Sequence, residues 1–184
     1  GSRIVFDRSG LMYVTLGERG EMQRAQRLDD HGGKILRLTD DGKPAPGNPF
    51  LNDPKAQPEI YTFGHRNVQG AAIHPVTGAL WVSEHGPQGG DELNLIRAGA
   101  NYGWPVITYG VNYGIGTKIG EGTAKAGMEQ PVKYWIPSPA VAGITFYEGD
   151  RFPKWRGDLI VATMKANALI RVRLNGERFV EDEF

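Results

Sequence analysis

Apolar residues in this chain fall in short runs, and few stretches carry helical spacing. An apolar stretch, a glycine-containing turn and a second apolar stretch occur three times. The first copy is Arg3–Asp7, the turn Arg8-Ser9-Gly10, then Leu11–Leu16. The second is Gly70–His74, Pro75–Gly78, then Ala79–Glu84. The third is Gly143–Tyr147, a longer connection through Trp155-Arg156-Gly157, then Asp158–Met164. Ile4, Val5, Tyr13, Trp81, Val82, Ile160 and Val161 are strong β-formers, so each copy predicts a β-hairpin. A third strand with alternating apolar residues follows each hairpin, at Lys34–Thr39, Glu92–Arg97 and Ala168–Leu174. A fourth follows at Glu59–Phe63, Val132–Ile136 and Arg178–Phe184.

This pattern predicts an all-β chain. Four antiparallel strands in each repeat of about 60 residues form the blade of a β-propeller. The blades should occupy roughly residues 1–64, 65–137 and 138–184 of a single partial propeller domain. The turn glycines Gly10, Gly78 and Gly157 lie 68 and 79 residues apart, so the insertions vary in length. A meandering β-sandwich is the alternative, but a sandwich requires no such repetition. Propellers usually have roughly four to eight blades. Three blades therefore predict an open arc with apolar faces exposed, to be completed by further chain or by a second copy as a homodimer.

Composition refines this picture. Glycine at 26 and proline at 12 of 184 residues suit many short strands joined by turns. Lys+Arg and Asp+Glu are both 21, and this balance argues against a nucleic-acid or anionic-membrane partner, which calls for excess basic residues. The absence of cysteine excludes disulfides and thiolate metal sites, and suits the periplasm, the exterior and the cytosol equally. No apolar run approaches the roughly 18 residues of a membrane-spanning helix, so no membrane insertion is expected. Gly1-Ser2 lead directly into a strand pattern with no signal peptide, as expected of an internal segment.

The unusual residues sit in the insertions. Gly17–Gly33 is polar and charged. Gly64-His65-Arg66-Asn67-Val68-Gln69-Gly70 places an arginine and an asparagine beside a strand end, framed by glycines. His85-Gly86-Pro87-Gln88-Gly89-Gly90-Asp91-Glu92 brings two constrained carbonyls close to two carboxylates. Clustered oxygen donors without cysteine suit a hard cation such as Ca²⁺, although an ordinary Gly-Pro turn accounts for the run, and spacing alone favours the turn. The histidines His31, His65, His74 and His85 have no zinc-ligand spacing, and neither a phosphate loop nor a nucleophile elbow is present.

Three strings carry a family resemblance. They are Tyr61–Gly70; Ser83–Glu92 with Asn101-Tyr102-Gly103-Trp104-Pro105; and Ser138–Gly143 leading to Ala162-Thr163-Met164-Lys165. Over essentially the whole chain, the sequence resembles the soluble PQQ-dependent glucose/sorbosone (aldose sugar) dehydrogenases, closest to their bacterial aldose sugar dehydrogenase branch. The resemblance implies three blades of a six-bladed propeller that binds pyrroloquinoline quinone (PQQ) and Ca²⁺ at the mouth of its channel. It implies oxidation of the anomeric hydroxyl of an aldose to a lactone, in a periplasmic or secreted parent protein. Arg66, Asn67, Tyr113, Thr163, Met164 and Lys165 would contact the cofactor. Lys165 would face its carboxylates, although without the resemblance it reads as a solvated turn lysine. The carbonyls of Gly86 and Pro87 would ligate the cofactor-bound Ca²⁺. Glu92 and the carbonyl of Tyr102 would hold a further, structural Ca²⁺. The family pattern has proline where this chain has Val68, which should only relax the loop. The family's catalytic histidine would lie upstream of Gly1 and its last-blade arginine contacts beyond Phe184, so no catalytic base is expected here and the segment alone should be inactive. Hedgehog-interacting proteins use the same fold without a redox role, so the alternative is a non-enzymatic module binding carbohydrate or protein.

Overall fold

The computed structural model describes all residues, Gly1–Phe184. It contains twelve strands and two short 3₁₀ turns, at Met22–Gln26 and Pro153–Trp155. The first sheet is β1 (Ile4–Phe6), β2 (Met12–Leu16), β3 (Lys34–Leu38) and β4 (Ile60–Phe63). The second is β5 (Val68–Ile73), β6 (Leu80–Glu84), β7 (Asp91–Leu95) and β8 (Lys133–Trp135). The third is β9 (Val141–Phe146), β10 (Leu159–Thr163), β11 (Leu169–Asn175) and β12 (Arg178–Glu183). In each sheet the spatial order follows the chain order and every pairing is antiparallel, as the blade reading expects.

The first strands of neighbouring blades pack together, β5 against both β1 and β9. Strand periodicity then decides which residues meet between blades. Leu159, Val161, Ile170 and Val172 of the third blade interlock with Trp81, Leu93, Leu95 and Trp135 of the second. On the opposite face of the second blade, Val68, Ala71, Leu80 and Val82 meet Tyr13 and Ile35 of the first. The middle blade is therefore apolar on both faces. This is why β6 is buried along its whole length and opens on the apolar run Leu80-Trp81-Val82.

The two outer faces differ. Cross-strand register puts Ile4, Val14 and Leu36 on one face of the first blade, together with Phe6 and Met12. Ile4 and Phe6 there are 59% and 56% exposed. The outer face of the third blade instead carries the ion pairs Arg171–Asp158, Arg171–Glu183 and Arg173–Glu181 beside Ile160 and the exposed Leu169. The expectation of exposed apolar faces is met fully by the first blade and only in part by the third.

Two local features depart from the sequence expectation, and both lie close to the polar insertions. Strand β5 begins at Val68, inside the expected loop, with a bulge between Val68 and Gly70. The insertion 17–33 contains the 3₁₀ turn Met22–Gln26, which has no helical period to announce it.

The core supports a direct comparison. Leu159→Ala, at a fully buried inter-blade position, should destabilise the chain by about 2–5 kcal/mol. Leu169→Ala, on the outer face of the same blade, should stay within about 0.5 kcal/mol. Urea denaturation of the two variants measures the difference.

Candidate functional site

Strand direction brings the unusual loops to one end of the arc. The ends of β2, β4, β6, β8 and β10 lie there with the starts of β3, β5, β7, β9 and β11. The insertion 17–33 and the short links 64–67, 85–90, 136–140 and 164–168 all emerge at this end. The long connection 96–132 leaves β7 at the opposite end and climbs back. It is tied to the mouth by Tyr102 N–H donating to Phe63 O (2.8 Å) and by paired bonds between Gln88 and Val111 (3.1 Å each). That return delivers Tyr102 and Tyr113.

A cavity of about 450 Å³ opens here, lined by His85, Gly86, Pro87, Tyr113 and Lys165, among others. A second space of about 500 Å³ is lined only by polar residues and glycines, including Glu18, Arg19, Arg66 and Asn67. Between them lies a narrow pocket of about 10 Å³, bordered by Arg66, Glu84, Gly86, Glu92 and Tyr102. Arg66 borders the second and third of these spaces, and Gly86 the first and third. The eight predicted residues Arg66, Asn67, Gly86, Pro87, Glu92, Tyr102, Tyr113 and Lys165 thus line three spaces that adjoin through shared wall residues.

Thr163 and Met164 take a different place. Thr163 Oγ1 donates to Ala168 O (2.7 Å) and accepts from Ala168 N–H (3.1 Å), closing the turn into β11. Met164 is exposed at the rim, its N–H donating to Ala140 O (2.8 Å). Lys165 N–H donates to Pro139 O (3.1 Å), and its side chain makes no ion pair within the chain. The turn is thereby docked on link 136–140, which supplies the cavity with Ile136, Pro137, Ser138 and Ala140.

Two acidic residues of the string Ser83–Glu92, Glu84 and Asp91, hold this end in shape. The buried Glu84 carboxylate accepts from His65 Nδ1–H (2.9 Å), from Asn67 N–H (3.2 Å) and from Arg66 N–H. His65 is itself fully buried, with Nε2 2.9 Å from Thr62 Oγ1 and its ring stacked 4.6 Å from that of Tyr102. Asp91 accepts from Gly86 N–H (3.1 Å) and Val141 N–H (3.0 Å), joining the 85–90 link to the third blade. His85 adds a crossing bond, its Nε2–H donating to Val141 O (2.6 Å). A Cβ at residue 86 would lie 2.3 Å from Gly89 O, so only glycine allows the link to fold back this tightly.

The donor set can be tested for a metal and a large anion. No hydrogen bond is donated to the carbonyls of Gly86, Pro87 or Tyr102. Free carbonyl oxygens near a carboxylate suit a hard cation. Burial, then the charges of Glu84 and Asp91, push the Glu92 carboxyl well above the ordinary carboxylate range, while a bond from Asn94 partly offsets them. Arg66 has its guanidinium 5.4 Å from the Trp104 ring and donates to His85 O (3.3 Å), while its buried Nε has no partner. The end of the arc therefore offers uncommitted oxygens at 86, 87 and 102, and cationic groups at 66 and 165 that have no carboxylate partner.

The whole chain, residues 1–184, matches the family described as glucose/sorbosone dehydrogenase. The chain belongs to that family. It is 47% identical over 184 residues to the aldose sugar dehydrogenase YliI of Escherichia coli, covering 99% of this chain and 49% of the relative. It is 34% identical over 185 residues to quinoprotein glucose dehydrogenase B of Acinetobacter calcoaceticus, covering 89% and 37%. A solved glucose dehydrogenase superposes with a TM-score of 0.96 at 45% identity, covering 98% of this chain and 53% of that one. The PQQ-bound aldose sugar dehydrogenase of Streptomyces coelicolor superposes with a TM-score of 0.79 at 36% identity, covering 98% and 47%. This glucose/sorbosone dehydrogenase segment spans about half or less of each of these relatives.

Glu84 gives a test of the architecture. Glu84→Gln turns part of an all-acceptor carboxylate into an N–H₂ group facing N–H donors. It should lower stability by about 1–3 kcal/mol. It should also speed amide exchange at Arg66 and Asn67 more than at β11, as read by hydrogen-exchange mass spectrometry.

Proposed function

We propose that this chain forms the cofactor-bearing arc of a PQQ- and Ca²⁺-dependent aldose sugar dehydrogenase from a periplasmic or secreted parent. The supporting observation is that Gly86, Pro87, Tyr113 and Lys165 line one cavity while the Gly86 and Pro87 carbonyls have no protein donor. The carbonyls would hold Ca²⁺, and Lys165 would pair with a carboxylate of the cofactor. Tyr113, 65% exposed, would cover one side of it, with Met164 at the rim. Arg66 and Asn67 would point toward the quinone from the adjoining space. A guanidinium there stabilises negative charge that grows on a quinone oxygen. Glu92 and the Tyr102 carbonyl would take a second Ca²⁺. Bound in this place, PQQ with its Ca²⁺ supplies a two-electron acceptor for the hydride of the anomeric carbon, the sugar leaving as a lactone.

The proton of the sugar hydroxyl needs a separate acceptor. His65 is buried with both ring nitrogens engaged. His74 Nδ1 accepts from Val76 and Thr77 N–H in a hairpin turn remote from the mouth, and His31 pairs with Glu59. His85 is at the cavity with its Nε2–H donated to Val141 O, which leaves Nδ1 as its basic nitrogen, but it does not match the position of the family's base. As the family resemblance implies, the base would be a histidine outside these residues, and the remaining blades of a parent would close the ring. The segment alone should bind cofactor without turning over sugar.

Calorimetric titration of the chain with PQQ in Ca²⁺-containing buffer should show binding and a shift of quinone absorbance, and chelation of Ca²⁺ should abolish both. Arg66→Ala and Lys165→Ala should each weaken binding about tenfold, which is about 1.4 kcal/mol. Absence of binding in the unmodified chain would remove the proposal. Aldose-dependent dye reduction by the chain would overturn the assignment of the base.

Glu92 separates the second ion from the first. In Ca²⁺-free buffer at pH 7, Glu92→Gln should stabilise the chain, because it removes a carboxylate that its surroundings disfavour in charged form. With Ca²⁺ the same variant should lose part of the metal-dependent rise in Tm while keeping PQQ affinity. Thermal denaturation with and without Ca²⁺ reads both.

A further inference from the structure

Lys34 opens β3 and is fully buried. A lysine is almost never buried unless its charge is compensated. Its ammonium has no carboxylate partner, because Asp30, the closest acidic influence on it, is bound on both oxygens by Arg24. Lys34 Nζ instead donates to three backbone carbonyls, those of Arg24 (2.7 Å), Ala25 (3.2 Å) and Gly32 (2.6 Å). Burial pushes it down to about 8 from an ordinary 10.5, so it is still charged at neutral pH. The arrangement is that of a small cation in a carbonyl cage, with the cation supplied by the chain.

The caged carbonyls belong to insertion 17–33, and this insertion is the support for the Arg66 segment. Ala25 O, held by Lys34, also accepts Gly64 N–H (2.8 Å). Gly33 O accepts His65 N–H (3.1 Å), and Glu18 N–H donates to Arg66 O (3.1 Å). Gln26 Nε2 donates to Trp104 O (2.7 Å), fixing the residue whose ring lies under the Arg66 guanidinium. The approach at Gly33 is close: its φ is +68°, and a Cβ there would lie 2.4 Å from His65 O. A turn of five residues without a side-chain cap cannot hold this shape by itself.

We propose that Lys34 is a positioning residue for Arg66 and Asn67, an internal cation that sets the form of insertion 17–33 and through it the aim of the pair. The significance of that aim rests on the proposed cofactor site, whereas the mechanical coupling does not.

The experiment therefore has one arm without cofactor. Hydrogen exchange is measured on the full chain and on Lys34→Met and Lys34→Gln, the second keeping donors should the first fail to fold. Exchange at the amides of Glu18, Gly64 and His65 should quicken tenfold or more, with Ile160 and Val161 unchanged. No change at those three amides, a uniform rise everywhere, or unfolding of both variants would each overturn the proposal. In the second arm PQQ is titrated in Ca²⁺ buffer. Lys34→Gln should weaken binding about threefold to tenfold in the native background and by clearly less in an Arg66→Ala background, where only Asn67 is left to misplace. Equal losses in the two backgrounds would show that Lys34 does not act through Arg66. If the native chain binds no PQQ, the proposed cofactor site fails, and the exchange arm still decides the role of Lys34.

Discussion

A carboxylate withdrawn from water must collect donors, and Glu84 collects its donors from the segment that carries Arg66 and Asn67. It sits at the last position of β6, so its place is fixed by the core of the middle blade. The donors it gathers are backbone N–H groups just before β5, together with the buried His65. The consequence is directional. With their amides turned inward to Glu84, Arg66 and Asn67 are left as a pair at the polar space by the mouth. Asp91, at the first position of β7, does the same for the other side of link 85–90, binding Gly86 N–H and Val141 N–H. With its amide held in this way, Gly86 is left with a carbonyl that no donor in the chain satisfies. Buried acidic groups on rigid strand ends therefore determine which polar atoms of flexible links stay free, and free atoms are what a ligand can use.

The strands were legible in the sequence because each blade alternates against its neighbours, and period-2 burial writes itself into residue choice. All twelve expected strands are present, with ends shifted by a few residues. The shift at β5 has a physical cause. Val68 is a buried apolar residue of the inter-blade core, and the bulge before Gly70 lets the strand start early without changing which face Ala71 presents. The site was legible in a different way. Residues 66, 67, 86, 87 and 165 stood out as strings resembling a family, with chemistry that could be argued once they were together. Asp91 stood out only as a carboxylate beside the Gly86-Pro87 carbonyls, Glu84 and His65 only as members of those strings, and Lys34 not at all. Glu84 looks like the polar end of an apolar strand, and Lys34 like a solvated lysine opening one. Their role depends on three-dimensional burial, which alternation alone does not reveal. The only sequence signal was weak: a charged residue directly flanking a β-branched or aromatic run at the mouth end of a strand.

The outer faces bear on how such an arc sits in a larger ring. In a propeller each blade presents one face forward and one back, and the middle blade here shows what both look like when covered. The outer face of the first blade has the same apolar character, with Ile4 and Phe6 exposed. The outer face of the third is mixed, with Arg171 held between Asp158 and Glu183 and against the Trp155 ring (5.4 Å). An apolar face can be satisfied by almost any complementary apolar surface. A face with fixed ion pairs accepts only a partner that leaves those pairs satisfied, since an uncompensated buried charge costs several kcal/mol. The ends of the arc thus differ in selectivity. The third blade constrains which neighbour can pack on it, and the first mainly requires that something cover it.

That difference weighs on closure by two copies of this chain. Closure by a twofold axis would bring the first blade of each copy against the third of the other. An apolar face would then meet Arg171, Arg173, Glu181 and Glu183. The pairs within the third blade neutralise one another, so the contact is not barred by net charge. It would, however, strip water from guanidinium groups and offer them side chains that cannot accept a hydrogen bond. A native neighbour can supply polar groups opposite these residues, whereas Ile4 and Phe6 cannot. The outer face of the third blade therefore suits a neighbour with polar groups opposite Arg171 and Arg173 better than it suits the apolar face of a first blade.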